Sequence, residues 1–590
     1  MLISQLGDPK KDWAAAARLQ KLGEPATAAL VGHLRQDPFA DHYHGNHSPT
    51  MKVLEKIGEP ALPVLSAALS PPLLQSRKND DVLYVRSVIL VMARITRSLA
   101  AQDLLRIAHS AADLNLRTQA LGALLGWEEY PGTMSRTSRW ESCFHAFQVY
   151  RPPCPNDSEV GSMATALRPM LPDISALLKE ASTPGIRLAA AHLLARWGTD
   201  DFKRQGERQL IALAADEPSY VRTQAIQALG MLQIRSSSDV LKKQAVNSGE
   251  ELKRTIAEAL FRLGDPGYFA LVGELMSSGN EETRRWAIHL ARESHNTSFV
   301  PLLIDRLQDR GWNGTTTSTE RAGHKEIVVR HTLAEDALET LHRLTFQNLG
   351  PDATQWHQWW EMNKATSWES LLNQFVQNRL TEIAGAEPYI INQWMDQLAE
   401  ADNPAVVPFV EAFLNHRRLD LSMIGPNLYS GGGDPPPVLP LLLELVHQDS
   451  ASARHLLYGC LAANDFDLHN NCPFAVAVFD RQRALDWLVG QLKDRNRNAA
   501  AQAAQSLVHL GDPRGIPTLI DELASLDSGR RFLAYDTLKH FTQEDIPYDP
   551  NGPVAARSEA SGLWRQWWHD NKDDFNVRVR AAQIDSEVFI

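Results

Sequence analysis

The densest concentration of metal-capable side chains is the run Asp41-His42-Tyr43-His44-Gly45-Asn46-His47, where three imidazoles and a carboxylate fall within seven residues. Imidazoles this close suit zinc or nickel, with water completing the shell. The run reads as a polar loop between the first helices, and no second cluster completes a ligand set, so an ordinary loop is the favoured reading. Two weaker groupings, His469-Asn470-Asn471-Cys472 and Cys143-Phe144-His145, lack a zinc-type spacing. The four cysteines form two local pairs, Cys143 with Cys154 and Cys460 with Cys472. Such spacings fit small disulfide loops in an exported protein and free thiols in a cytosolic one; reduced thiols are the expectation.

Other catalytic signatures are absent. The chain has no glycine-rich phosphate loop followed by Lys-Ser or Lys-Thr, no His-Glu-x-x-His, and no Gly-x-Ser-x-Gly nucleophile turn. No catalytic, cofactor-binding or metal-ligating residue is therefore assigned, and no cofactor is expected.

The most conspicuous motif is aromatic. Trp356-His357-Gln358-Trp359-Trp360-Glu361-Met362-Asn363-Lys364 recurs, 208 positions on, as Trp564-Arg565-Gln566-Trp567-Trp568-His569-Asp570-Asn571-Lys572. On a helix Trp356, Trp359 and Trp360, like Trp564, Trp567 and Trp568, share one side at i, i+3 and i+4. Upstream, Thr340-Leu-His-Arg-Leu-Thr345 is echoed by Thr537-Leu-Lys-His-Phe-Thr542 at an offset of 197, so the second connection is 11 residues longer. An aromatic helix folded over the uncovered apolar face of a last repeat buries a large area in few residues. Each copy therefore reads as a closing plug, with an exposed binding surface as the alternative.

The elements that position these residues are themselves repetitive. Leu6-Gly7-Asp8-Pro9 has relatives at Leu22-Gly23-Glu24-Pro25, Ile57-Gly58-Glu59-Pro60, Leu263-Gly264-Asp265-Pro266 and Leu510-Gly511-Asp512-Pro513. Glycine can end a helix in the left-handed conformation, the acid favours the next N-terminus, and Pro suits a first helical turn. A second mark is an Arg near the start of the following helix: Arg86, Arg117, Arg187, Arg222 and Arg330. Small residues follow most of these, as in Arg222 to Gly230, and let helices approach closely. Neither helix of such a pair can bury its apolar stripe alone, so pairs must stack on pairs.

The alternation of Leu-Gly-Asp-Pro, apolar helix, turn, Val-Arg and Ala-rich helix resembles HEAT repeats. Val221 to Leu232 and His509 to Leu523 are similar to the bacterial HEAT-like repeats also found in phycobilisome lyase subunits. The resemblance implies that the arginines pair with acids of the adjacent turn, Asp216 or Glu217 in the case of Arg222. It assigns no bilin contact. The related iron-dependent deoxyhypusine hydroxylases carry His-Glu pairs, and this chain has no His-Glu dipeptide. HEAT-like DNA glycosylases hold DNA on a basic surface, against which stands a net charge of −12 over 590 residues.

With 44% hydrophobic and 22% charged residues the chain has ample material for a core and is too long for a single one. The expected fold is all-α: a curved right-handed superhelix of about ten or more stacked helix pairs. Residues 1–127 read as N-terminal HEAT-like repeats, 128–165 as a loop insertion, and 166–345 as further repeats. A Trp-rich closing segment is expected at 346–375. Residues 376–545 read as a second helical-repeat module with a Gly/Pro loop at 425–440, and 546–590 as a second closing segment and tail. A further polar loop is expected at Gly311 to Glu326. The opening residues include Asp8, Lys10, Lys11 and Asp12 where a signal peptide needs an apolar core, and no stretch suits a spanning helix, so a cytoplasmic protein is expected, with export the alternative. The expected function is a non-catalytic scaffold for a protein or peptide partner along the concave face and loops, with neither nucleic acid nor membrane as partner. The alternative is a lyase-like or metal-dependent enzyme, or its accessory subunit, on the same repeats.

Overall fold

A computed structural model describes residues 2–3, 6, 12–36, 48–125, 157–179, 183–216, 219–320, 325–399, 401, 403–416, 438–447, 450–462, 466–542, 544 and 546–572. The junction motifs show how the helices are made. In Leu263-Gly264-Asp265-Pro266, Gly264 has φ 68° and Asp265 Oδ1 accepts from the Gly267 N–H at 2.8 Å. In Leu510-Gly511-Asp512-Pro513, Gly511 has φ 75° and Asp512 Oδ1 accepts from the Arg514 N–H at 2.9 Å. Glycine ends one helix and the acid satisfies an orphan donor of the next, as the four-letter motif requires. Gly7, Asp8 and Pro9 lie outside the described residues.

The chain divides into two compact units. The helices of the first are α1 (Asp12–Leu22), α2 (Glu24–His33), α3 (Pro49–Ile57), α4 (Leu62–Ala68), α5 (Pro71–Leu74), α6 (Asn79–Ser110), α7 (Leu114–Leu125), α8 (Asp157–Leu167), α9 (Leu171–Leu177), α10 (Pro184–Trp197), α11 (Asp200–Asp216), α12 (Ser219–Met231), α13 (Ser238–Ala245), α14 (Glu250–Arg262), α15 (Gly267–Met276) and α16 (Glu281–Glu293). Helix α6 is two helices joined at Thr96, whose φ of −161° and ψ of 106° are extended. From α10 onward α10 packs on α11, α11 on α12, α13 on α14, α14 on α15 and α15 on α16, and α10, α12, α14 and α16 also stack on one another in turn. Their small residues permit this: a Cβ on Gly230 of α12 would stand 2.8 Å from Ala259 Cα of α14. Val221, Ala225, Ile226 and Leu229 of α12 and Ile256, Ala257 and Leu260 of α14 are fully buried along this seam. This is the HEAT-type stacking of helix pairs that the sequence predicts.

Strands β1 (Trp312–Glu320) and β2 (Lys325–Thr332) pair in a two-stranded sheet, and β1 packs on α16. The polar loop expected at 311–326 is thus corrected to a hairpin. Thr315, Thr316, Thr317 and Thr319 of β1 and Ile327, Val328 and Val329 of β2 are β-branched, a residue type that suits a pleated backbone. The insertion expected at 128–165 already becomes helix at Asp157. Residues 126–156 and 417–437, which hold most of the other two expected loops, lie outside the described residues.

The second unit runs α17 (Val300–Ile304), α18 (Leu333–Thr345), α19 (Ala353–Asn363), α20 (Trp368–Glu382), α21 (Pro388–Ala399), α22 (Val407–His416), α23 (Val438–His447), α24 (Ala451–Ala462), α25 (Phe466–Gln491), α26 (Arg497–His509), α27 (Ile516–Glu522), α28 (Ser528–Thr542) and α29 (Val554–Asn571). Helix α25 is broken at Asp480, whose carboxylate accepts from the Arg483 N–H at 3.3 Å and so starts the second half as an N-cap would.

A three-helix module occurs twice in this unit. Helix α19 packs on α17 and α29 on α27, while α18 and α28 are their partners in between. The duplication reaches further back than the tryptophans: Val300-Pro-Leu-Leu-Ile-Asp-Arg-Leu307 matches Ile516-Pro-Thr-Leu-Ile-Asp-Glu-Leu523. Thr345 Oγ1 donates to Leu341 O at 2.6 Å and accepts from the Gln347 N–H at 3.2 Å; Thr542 does the same with Leu538 O at 2.7 Å and the Glu544 N–H at 3.1 Å. At the helix ends Asn363 Nδ2 donates to Trp359 O at 2.8 Å and Asn571 Nδ2 to Trp567 O at 2.7 Å.

The division at Ser294 and His295 differs from the closing segment expected at 346–375. The first Trp-rich helix closes no unit, because the chain continues into α20, which packs on α18. Trp368 of α20 stacks on His295 at 4.2 Å and meets Phe346, which also stacks on Phe375 at 5.1 Å. His295 and Phe346 both occupy left-handed backbone, φ 48° and 58°, at positions after helix ends where glycine is usual. Their rings offset that conformational penalty by extending the aromatic core across the module.

Candidate functional site

The stacked helices α14 and α16 carry a stripe of charged and aromatic side chains. Arg254, Glu258 and Arg262 recur every four residues on α14, and Trp286, His289 and Glu293 fall at i, i+3 and i+7 on α16, so each set shares one face. The two stripes join where the Arg254 guanidinium lies 5.4 Å from the centre of the Trp286 ring, within cation–π range. Along α14 Arg262 pairs with Glu258 at 2.5 Å, and along α16 His289 Nδ1 stands 3.6 Å from Glu293. The members are half-buried: Glu258 and Arg262 side chains keep 29% and 16% of their exposure. Burial raises the Glu258 carboxyl pKa against the opposing pull of Arg262 and Arg254, and lowers that of Arg262 against the pull of Glu258. Desolvation therefore outweighs pairing for both partners, the usual state of an ion pair withdrawn from water. Sequence reading missed this stripe, although the i, i+4 alternation of Arg, Glu and Arg within an Ala-rich helix was its available signal.

Arg117, Arg187 and Arg222 each stand fourth in their helix, Arg86 lies further in as the eighth residue of α6, and one of the five arginines is on no helix. Arg86, Arg187 and Arg222 are partly buried on α6, α10 and α12. Arg117, near the start of α7, donates through Nε to the carbonyl of Ala108 at the end of α6. Arg284 of α16 donates through Nη1 to Ser278 O of the preceding turn at 2.9 Å. Arg531 of α28 donates to Ser525 O and Leu526 O at 2.8 Å each and to Pro550 O at 2.7 Å. These guanidinium groups satisfy carbonyls that a helix end or turn leaves without a backbone donor. The side chains of Asp216 and Glu217, the acids expected for Arg222, lie outside the described residues. Arg330 is the exception: it belongs to strand β2 rather than to a helix start, because the helix begins at Leu333 with Thr332 as N-cap. Thr332 and Glu335 form a reciprocal capping box there.

The tryptophans separate into core and margin. Trp356 and Trp564 are completely buried, Trp567 nearly so, and Trp359, Trp360 and Trp568 partly exposed. Trp356 Nε1 donates to Gly350 O at 2.7 Å, whereas Trp564 Nε1 is buried with no hydrogen-bond partner.

His42, His44, His47, Cys143 and Cys154 lie outside the described residues. Cys460 and Cys472 form a disulfide, with Cα atoms 5.9 Å apart. This corrects the expectation of reduced thiols for that pair: α24 and α25 pack together and bring the two buried sulfurs into reach. Among the described residues there is no group of three or more His, Cys, Asp or Glu arranged to hold a metal. His192 is buried in α10; burial, then the charge of Arg196, lowers its pKa to about 3, so it is a neutral core residue at pH 7. No helix among the described residues is long and apolar enough to cross a membrane.

No protein-family model and no curated protein matches the chain. In architecture it is similar to karyopherin Kap121p bound to the SUMO protease Ulp1p, at 12% identity and a TM-score of 0.34 over 99% of this chain and 69% of that one. It is likewise similar to the AP-3 complex in an intermediate open conformation, at 11% identity and a TM-score of 0.30 over 94% of this chain and 99% of that one. At this level of likeness nothing that those proteins bind is carried over to this chain.

Proposed function

We propose that the chain is a non-catalytic helical-repeat scaffold that holds a protein or peptide partner. The observation that supports this most is the stripe on α14 and α16. Arg and Trp are the residue types that dominate binding energy at protein interfaces, and here they are stacked on each other and held half-buried on neighbouring rigid helices. Flanking Glu258, Arg262 and Glu293, charges of both signs, and the His289 imidazole supply polar contacts whose geometry the helices fix in advance. Side chains already ordered by intramolecular contacts lose less freedom when a partner arrives.

The test is quantitative affinity capture from a lysate of the native host, comparing the intact chain with a variant carrying Arg254→Ala and Trp286→Ala. Enrichment of a partner by the intact chain and its loss with the variant supports the reading. Equal enrichment by both removes the stripe from the account, and no enrichment above background removes the scaffold reading itself.

A further inference from the structure

The side chains around the break in α25 tie it to the helices on either side. The Tyr458 hydroxyl of α24 donates to Asp480 Oδ2 at 2.7 Å, and Asp480 Oδ1 accepts from the Arg483 N–H at 3.3 Å. Arg481 donates through Nη2 to the carbonyl of Leu510, the C-cap of α26. The first turn of the second half of α25 is therefore held from both flanks, and Arg483 projects from a backbone that is fixed before any partner arrives.

Asp480 and Arg483 are spaced for an i, i+3 ion pair and do not form one. The carboxylate is taken by the tyrosine hydroxyl and a helix N–H, while the Arg483 guanidinium stands over the Tyr458 ring, 3.8 Å from its centre. Tyr458 also meets Phe479, ring centres 5.6 Å apart at 59°, and the Arg454 guanidinium of α24 lies 5.6 Å from the centre of the Phe479 ring. Two exposed guanidinium groups thus bracket two partly buried aromatic rings within the second unit. The bond to Asp480 raises the Tyr458 pKa, so the phenol stays neutral beside Arg483. None of the described residues accepts a hydrogen bond from the Arg483 guanidinium or pairs with it as an ion. A guanidinium engaged through its face still carries its in-plane donors. Across α24 and the second half of α25, Arg454, Arg481 and Arg483 stand against two acids, Asp480 and Asp486. Both acids are occupied, Asp480 as above and Asp486 by Gln482 Nε2 at 2.8 Å.

From this arrangement we infer that the Arg454 and Arg483 surface docks an acidic segment of a partner protein, whose carboxylate side chains are taken at the guanidinium edges. The rings decide for carboxylates over nucleobases. Arg483 covers Tyr458, Arg454 covers Phe479, and the two rings meet each other, so the faces on which a base would stack are already engaged. Tyr and Arg are also the residue types that dominate protein interfaces. The inference rests on the scaffold reading and adds to it, in the second unit, a surface with a stated partner chemistry.

The experiment is a fluorescence-anisotropy titration of the full chain with labelled decapeptides that alternate Gly with Glu, Gln or Lys, and with an oligothymidylate of about ten nucleotides. The Gly-Glu peptide binds at least about tenfold more tightly than the Gly-Gln and Gly-Lys peptides. Arg454→Ala with Arg483→Ala abolishes that preference, and Arg454→Glu with Arg483→Glu transfers it to the Gly-Lys peptide. Arg483→Lys keeps the charge, loses the planar fork and weakens binding at least about threefold. Tyr458→Phe releases the Asp480 carboxylate to pair with Arg483 and weakens binding to a similar extent. Arg495→Ala, at an exposed arginine outside the cluster, leaves binding unchanged. Helical circular dichroism matching the native chain shows each variant to be folded, and Arg483→Lys decides the matter if the double variants are not. Equal binding of the Glu and Gln peptides, a preference that survives the double alanine variant, or full affinity in Arg483→Lys or Tyr458→Phe overturns the inference. So does a loss with Arg495→Ala as large as with the cluster variants, tighter binding of the oligothymidylate than of the Gly-Glu peptide, or no binding at about millimolar peptide. A captured partner lost with Arg254→Ala and Trp286→Ala, together with a failed peptide titration, leaves the scaffold standing and this surface refuted.

Discussion

The indole of Trp564 meets that of Trp567 edge-on, ring centres 5.7 Å apart at 75°, and Trp356 meets Trp359 in the same way at 6.2 Å and 77°. Two segments 208 positions apart have thus kept one packing solution, a T-shaped pair whose first ring is completely buried. The pair anchors each third helix to the first helix of its module.

Trp564→Ala and Trp567→Ala are each expected to destabilise the second unit by about 3–5 kcal/mol, the usual result of removing a buried aromatic side chain. Trp360→Ala, on a partly exposed ring, should cost clearly less. Urea denaturation followed by circular dichroism measures all three; an unchanged midpoint for Trp564→Ala would place that ring outside the core.

Arg531 is 6% exposed and donates to three carbonyls of the turns around α28. Arg531→Ala leaves those acceptors without their donor and should cost about 2–3 kcal/mol. Arg531→Lys should recover little, since one ammonium cannot reproduce the planar fork. Arg204→Ala, in an exposed pair with Asp201, should change stability by less than about 0.5 kcal/mol. The same denaturation series compares them, and equal losses at Arg531 and Arg204 would contradict the carbonyl-satisfying role.

The buried histidines make stability fall with acid. His192 has a folded pKa of about 3 against an ordinary 6.5. Between those values the unfolded chain binds a proton that the folded chain excludes, so stabilisation present above pH 6.5 is lost as the pH falls toward 3. His509 and His342 are shifted in the same direction, chiefly by burial. Below about pH 6 the stability of the first unit should drop by roughly 1.4 kcal/mol per pH unit on account of His192. Urea midpoints at pH 7.5 and pH 5 should converge in His192→Leu relative to the native chain; an unaltered pH dependence would refute the assignment.

The Cys460–Cys472 bond closes a loop with a sequence separation of 12. Reduction, or Cys460→Ser, should lower stability by about 3 kcal/mol through the freedom returned to the unfolded chain. Peptide mapping without reductant should recover the two cysteines linked. Recovery of both as free thiols, with no change in melting on reduction, would show the bond to be absent.

The repeat architecture was legible because it is written locally. A glycine with positive φ, an acid capping the next helix and an Ala-rich face act within a few residues, and Gly264, Asp265 and Gly230 each do in the fold what their types suggest. The hairpin was not legible in this way: Thr315 to Thr319 read as polar loop because a two-stranded insertion has no apolar alternation to reveal it. The tryptophans announced a duplicated helix, but where the units divide depends on Trp368, His295 and Phe346 meeting across the chain, which no local motif records. The stripe on α14 and α16 escaped notice for the same reason. Arg254 and Trp286 are 32 positions apart and acquire meaning only when α14 and α16 stack.

The most direct test of the scaffold reading is hydrogen–deuterium exchange on the full chain with and without its captured partner. The account predicts slowed exchange in α14 and α16, centred on Arg254, Glu258, Trp286 and His289, with the slowing absent in the Arg254→Ala, Trp286→Ala variant. A bound partner that leaves exchange in residues 250–293 unchanged would contradict it.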